Sequence, residues 1–90
     1  MRFVFTGHVE EKLLKESAKL LRITKSKPKR VFLNPLADDR KIFPHRVVGP
    51  LNKKLSLCVI YKFDNGDIIK IITFWPAEKG RYESKILRRR

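Results

Sequence analysis

The sequence predicts a small α+β domain: two N-terminal helices laid on one face of a twisted antiparallel sheet of three to four strands. Three observations point there. Apolar residues recur at helical spacing between His8 and Arg22, and a second helical stretch lies between Thr24 and Asn34-Pro35. Two long apolar runs then flank Asn65-Gly66, the dipeptide that most strongly signals a hairpin. Ninety residues, 42% of them apolar, suffice for one small core. Residues 1–90 are therefore expected to form a single domain, with a basic C-terminal tail at about 83–90.

Taken in order, Arg2-Phe-Val-Phe5 is a short strand, and Thr6 offers a hydroxyl to the first free amides of a helix. From His8 to Arg22 the apolar stripe is Val9, Leu13, Leu14, Ala18, Leu20 and Leu21. Glu10 and Glu11 sit early and Lys19 and Arg22 late, as the helix dipole prefers. A second, shorter helix is capped at Thr24 and carries Pro28 in its first turn, where a missing amide costs nothing; Asn34-Pro35 ends it. Residues 36–44, with Asp38, Asp39, Arg40, Lys41 and Pro44, read as a solvated connector. His45-Arg-Val-Val48 is a short strand before Gly49-Pro50, and Leu51 to Lys54 turns the chain back.

A two-residue turn at Asn65-Gly66 pairs Asp64 with Asp67, and the remaining pairs follow: Lys62 opposite Ile69, Tyr61 opposite Lys70, Leu57 opposite Phe74. Alternation then places Leu57, Val59, Tyr61, Phe63, Ile68, Lys70, Ile72 and Phe74 on one face. The other face takes Ser56, Cys58, Ile60, Lys62, Ile69, Ile71, Thr73 and Trp75. The first set carries more large apolar area and is expected beneath the helices, with Lys70 at its rim running its stem along Tyr61. The second mixes small, polar and cationic side chains and is expected to stay partly open, with Lys62 directed into a surface suited to phosphate.

Charge narrows the partners. Lys and Arg number 22 against 9 Asp and Glu, a net +13. Nucleic acid, an acidic protein and an anionic membrane surface all match that excess. Arg46, Lys53, Lys54, Lys79 and the run Arg88-Arg89-Arg90 are the candidate phosphate contacts. A lone cysteine, Cys58, can form neither an internal disulfide nor by itself a zinc site. No apolar run is long enough to span a bilayer, and the first residues lack the order of a signal peptide. The expectation is a cytoplasmic protein that needs no cofactor or metal, engages no membrane, and has RNA or the ribosome as partner.

Several residues in order carry a family likeness: Gly7-His8 at the head of the first helix, Ile23-Thr24 opening the second and Asn34-Pro35 closing it. Leu57-Cys-Val-Ile-Tyr-Lys-Phe63, Ile68-Ile-Lys-Ile-Ile-Thr-Phe-Trp-Pro76 and Gly80-Arg-Tyr82 follow. Together they resemble the small toxin-like domains related to RelE, ParE and BrnT, most closely an uncharacterised branch of that superfamily. The resemblance implies a RelE-like fold, often encoded with an acidic antitoxin. In RelE-like members it also implies a metal-independent ribonuclease (an mRNA interferase) acting on message at the ribosome. Such cleavage needs a base for the ribose 2′-hydroxyl, cations for the phosphorane charge and an acid for the leaving oxygen. The counterparts available here are Lys62, Lys79, Arg81 and Tyr82, and His45, adjacent to Arg46, is a further catalytic candidate. Two positions depart from the pattern: Cys58 stands where RelE-like ribonucleases carry an arginine, and Pro76-Ala77-Glu78 replaces a basic residue after the last strand. The resemblance thus implies either a toxin-like RNA-binding endoribonuclease or a non-enzymatic nucleic-acid or ribosome-associated protein on the same fold. The basic surface also suits a third role, receiving an acidic amphipathic helix.

Overall fold

The computed structural model describes residues 2–88, with the backbone alone for Arg88. The chain is α+β, and the described elements run β1 (Arg2–Phe5), α1 (Gly7–Leu14), α2 (Glu16–Leu20), α3 (Ser26–Leu33), β2 (Ala37–Asp39), β3 (His45–Pro50), β4 (Leu55–Asp64), β5 (Ile68–Glu78) and α4 (Glu83–Arg88). The strands form one five-stranded sheet in the order β1-β5-β4-β3-β2. It is mixed rather than antiparallel, because β1 runs parallel to β5, with Phe3 opposite Ile69 and Phe5 opposite Ile71.

The first helical stretch is two helices. At Lys15 the backbone is extended (φ −71°, ψ 149°), which breaks the run between Leu14 and Glu16. Thr6 does start α1: its Oγ1 accepts from the amide of Val9 at 3.3 Å while donating to the Ile72 carbonyl at 3.0 Å. One hydroxyl therefore ties the helix start to β5. In α3, Pro28 lies in the first turn and is buried, and Asn34 closes the helix with its amide on the Arg30 carbonyl at 2.8 Å.

The hairpin register differs from the expected one in two steps. Asp64 pairs with Ile68, so the loop is the three residues Asn65, Gly66 and Asp67, the first two at positive φ (52° and 69°). Ile72 is then an extra residue, since Tyr61 pairs with Ile71 and Ile60 with Thr73. Between the loop and the bulge every β5 side chain is on the face opposite to the expected one; beyond the bulge the two shifts cancel in parity. Ile69 and Ile71 therefore join the helix-side core, and Phe74 and Trp75 fall on their expected faces. Lys70 does not rim the core beside Tyr61. It lies directly across from Lys62, on the same face.

Helices α1, α2 and α3 cover one face of the sheet. Val9, Ala18, Ile23, Val31 and Phe32 pack there on Val47, Leu57, Val59, Tyr61, Ile69, Ile71 and Phe74. Phe32 meets Phe3 and Tyr61 edge-on, with ring centroids 5.6 and 5.0 Å away. Gly49 lets α3 approach β3: an added Cβ would lie 3.1 Å from both methyls of Val31. Residues 83–88, read from sequence as a tail, instead fold into α4 and lie on the opposite face, where Ile86 packs with Ala37, Val48, Cys58 and Ala77. Among the described residues no helix is long and apolar enough to cross a membrane.

Candidate nucleic-acid interface

The face opposite α1–α3 is built by strand alternation. From β3 it receives Arg46 and Val48, and from β4 Ser56, Cys58, Ile60 and Lys62. Lys70 and Trp75 come from β5. Arg46 pairs with Ile60, so Lys62 is its diagonal neighbour, ~7 Å away by strand spacing. Gly80, at φ 87°, turns the chain out of β5 and lays α4 across this surface. The turn is fastened by Glu83, whose Oε2 accepts from the amide of Gly80.

Folding back in this way delivers Tyr82 to the middle of the face. Its ring stands edge-on to Trp75 at 6.1 Å. Three cations surround it: the Arg46 guanidinium at 5.0 Å from the ring centroid, Arg81 at 5.7 Å and the Lys85 ammonium at 5.9 Å. Tyr82 packs on the cluster that holds fully buried Cys58, and Ser56, two residues earlier on the same face of β4, is fully buried as well. Burial pushes the Cys58 thiol up to about 11, a rise that Arg46 and Arg81 oppose and Glu83 reinforces. Three buried polar atoms here lack a hydrogen-bond partner: Arg46 Nε, Ser56 Oγ and Glu83 Oε1. The surface is thus an aromatic platform ringed by cations, with the Lys62–Lys70 pair on its flank toward the Asn65 loop.

The sequence-derived candidates separate into three places. Arg46, Arg81 and Tyr82 converge, with Lys62 on the same face. His45, neighbour of Arg46 in β3, points to the other face, because successive strand residues alternate. Its ring stands 5.4 Å from Tyr61, 5.8 Å from Phe63 and 5.6 Å from Phe43, with Nδ1 against the Ile42 carbonyl at 2.7 Å. His45 therefore cannot share a substrate with Tyr82 through the thickness of the sheet. Lys53, Lys54 and Lys79 gather at the end of the sheet remote from the Asn65 loop, where the Lys79 amide donates to the Lys54 carbonyl at 3.2 Å. Arg89 and Arg90 lie outside the described residues, as does the side chain of Arg88.

Compared with known proteins, the chain matches no family model, no curated protein and no solved structure. The chemistry of the surface must carry the functional argument.

Lys85 and Lys70 belong to this surface; the sequence reading did not single out Lys85 and assigned Lys70 to the rim of the helix-side core. Lys85 had a legible signal: Tyr82 and Ile86 are four apart and Lys85 three from Tyr82, the spacing of a helix that buries one edge. Its first turn is closed by the Ile86 amide on the Tyr82 carbonyl at 3.0 Å. Lys70 had no local signal for this face, which depends on the loop length.

A separate cluster fills the helix-side rim. Tyr61 donates its hydroxyl to Asp38 Oδ1 at 2.7 Å, and Arg40 Nε binds Asp38 Oδ2 at 3.0 Å while its guanidinium lies over Phe63. Burial first, and the Asp38 bond second, push the Tyr61 phenol up. At the sheet edge beyond β1, the Lys12 ammonium reaches the Thr73 hydroxyl at 3.2 Å and the Phe74 carbonyl, over the Phe74 ring. Desolvation there pulls its pKa down.

Proposed function

We propose that this chain is a toxin-like RNA-binding protein related in fold to RelE, and that it grips single-stranded RNA across the α4-bearing face of the sheet. The observation that carries this reading is Tyr82 ringed by Arg46, Arg81 and Lys85 and abutting Trp75. Aromatic faces stack unpaired bases, and cations beside them take the phosphates. The Lys62–Lys70 pair supports the same reading, since two ammonium groups opposed across strands repel each other until an anion lies between them. In this role the partners are RNA or the ribosome, and the basic surface equally suits an acidic antitoxin that would block it.

A second reading is metal-independent cleavage, with Tyr82 moving the proton of a ribose 2′-hydroxyl and Arg81, Arg46 and Lys62 meeting the phosphorane charge. Their convergence on one face favours it. Cys58 argues for binding over cleavage: where the family likeness calls for a cation there is a buried, neutral thiol.

The two readings part in one experiment. Fluorescein-labelled oligouridine titrated with the protein should bind with an affinity that falls steeply with salt, and Lys62→Ala/Tyr82→Ala should raise Kd roughly tenfold. Product analysis of the same samples without metal should find intact RNA if the protein only binds, and 2′,3′-cyclic phosphate ends if it cleaves. Failure to bind at low salt would end both readings.

A further inference from the structure

The helical side of the molecule carries a second basic feature that the open face does not use. Between residues 17 and 37 the chain holds Lys19, Arg22, Lys25, Lys27, Lys29 and Arg30 and no acidic residue. The structure divides them. Lys25, at the N-cap of α3, lies over Phe5 of β1 and is also paired with Glu10 at 3.1 Å, and Lys29, four residues on, lies over Phe3 and Phe5. Lys27, Arg30 and Asn34 follow a different stripe of α3, at spacings of three and four. That stripe lines two adjoining hollows of about 420 and 230 Å³, which share Lys27 and Arg30 as common walls. Together they make one trough along α3.

The polar lining of the larger hollow is Arg22, Thr24, Ser26, Lys27, Arg30 and Asn52. These are the side-chain types that contact phosphodiester oxygens. Asn52 is already oriented: its Oδ1 accepts from the amides of Lys54 and Leu55 at 2.9 and 2.8 Å, which leaves its Nδ2 to donate outward.

Arg22 adds an independent sign. α2 ends in a paired-bond turn, with the Ile23 amide on the Ala18 carbonyl at 2.9 Å and the Arg22 amide on the Lys19 carbonyl at 3.1 Å. The residue at that position takes the left-handed conformation, here φ 57°, and glycine is the usual occupant because a Cβ is strained there. Arg22 thus holds a backbone position that glycine would occupy without strain, and it lines the basic trough.

We propose that the trough formed by Arg22, Lys27, Arg30 and Asn52 is a second phosphodiester-binding track, so that one chain holds nucleic-acid backbone on both sides of its sheet. The identity of the ligand as RNA rests on the reading above; the existence of the track does not. Its cations and hydrogen-bonding groups sit among Leu20, Leu21, Leu51, Val31 and Pro50, and it is the convergence of Arg22, Lys27 and Arg30 with the hydroxyls and amides between them that fits a phosphodiester backbone.

The test uses the full chain and labelled oligouridine. The trough variant Lys27→Gln/Arg30→Gln should raise Kd roughly tenfold and lower the log K against log salt slope by about 2. Arg22→Gly should weaken RNA binding and yet raise Tm by ~4 °C, because it relieves the strained backbone. A merely structural arginine would show the second effect without the first. Donor- and acceptor-labelled oligouridines should give energy transfer on the wild-type chain and lose it on either the trough variant or Lys62→Ala/Tyr82→Ala. An unchanged salt slope and unchanged transfer in the trough variant would overturn the proposal while leaving the open-face reading standing. The reverse result, with only the trough variant weakened, would keep the track and remove the open face. Polyglutamate competing as well as oligouridine for the trough would overturn the proposal in favour of an acidic protein.

Discussion

Ser56, Leu57 and Cys58 are consecutive in β4, and all three are fully buried, yet they lie in two different kinds of interior. Leu57 faces α1–α3, in a dry layer of branched aliphatics and edge-on aromatics from six elements. Ser56 and Cys58 face α4, a helix of six residues that covers small side chains such as Ala37 and Ala77 and leaves Ser56 Oγ, Glu83 Oε1 and Arg46 Nε buried without partners. Equal burial thus carries opposite energetic content. On one side it is the transfer of apolar surface from water; on the other, much of it is desolvation of polar groups that gain nothing in return. A protein that had only to fold would fill both sides alike. The α4 side keeps these buried polar groups at a cost in stability.

The sharpest way to break this contrast is to shorten neighbouring residues to alanine. Leu57→Ala should cost about 3 kcal/mol, through lost transfer energy and the cavity left in a close-packed layer. Ser56→Ala, one residue earlier and equally buried, should be neutral or stabilising by up to ~1 kcal/mol, because it removes a hydroxyl that has no partner. Urea denaturation of the two variants decides it: destabilisation of both by similar amounts would mean that the two sides are packed alike.

Alkaline pH sharpens the comparison with a smaller effect. Burial holds the Cys58 thiol at about 11 against 9.0 for a free thiol, so the folded state keeps its proton after the unfolded state has released it. The sign follows: this stability is complete below pH 9, falls as pH rises from 9 to 11, and is gone above the folded value. The loss is about 2–3 kcal/mol. The Tyr61 phenol, also raised, adds a loss that begins near pH 10. Cys58→Ala should flatten the first limb and Tyr61→Phe only the second, as read from chemical denaturation across pH. If Cys58→Ala left the profile unchanged, the thiol would already be reached by water beneath α4.

How much of this was legible in the sequence follows from which features are local. Thr6 as a cap, Asn34-Pro35 as a stop and the helix-side positions Leu57, Val59, Tyr61 and Phe63 depend on spacing within one element, and each could be read. The parallel seat of β1 beside β5 joins Phe3 to Ile69, residues that nothing in the local pattern links. The break at Lys15 was hidden because Ala18 and Leu21 continue a plausible stripe across it. At the candidate site, Arg46, Lys62, Arg81 and Tyr82 were nameable as basic and aromatic residues near the sheet. Their meeting depends on the turn at Gly80 that folds α4 back, and His45 was carried along only because it adjoins Arg46. A single extra residue in the loop, Asp67, was enough to move Lys70 from one side of the sheet to the other without altering any local propensity.

That displaced lysine gives the smallest prediction and the one that joins stability to function. Lys62 and Lys70 are directly opposed in neighbouring strands, and like charges so placed repel. Lys70→Glu should replace repulsion with attraction and stabilise the fold by ~0.5 kcal/mol, an effect that fades as salt screens it. The same change places a carboxylate on the surface proposed to receive phosphate, so RNA affinity should fall while thermal stability rises. Lys70→Gln separates the parts: it should relieve most of the repulsion and lose a smaller share of the binding. Should Lys70→Glu destabilise the protein at low salt, the two side chains do not share a face and the pairing set by the three-residue loop is wrong. Should it stabilise the fold with RNA affinity intact, the pair is a tolerated flaw of the hairpin rather than part of a binding surface.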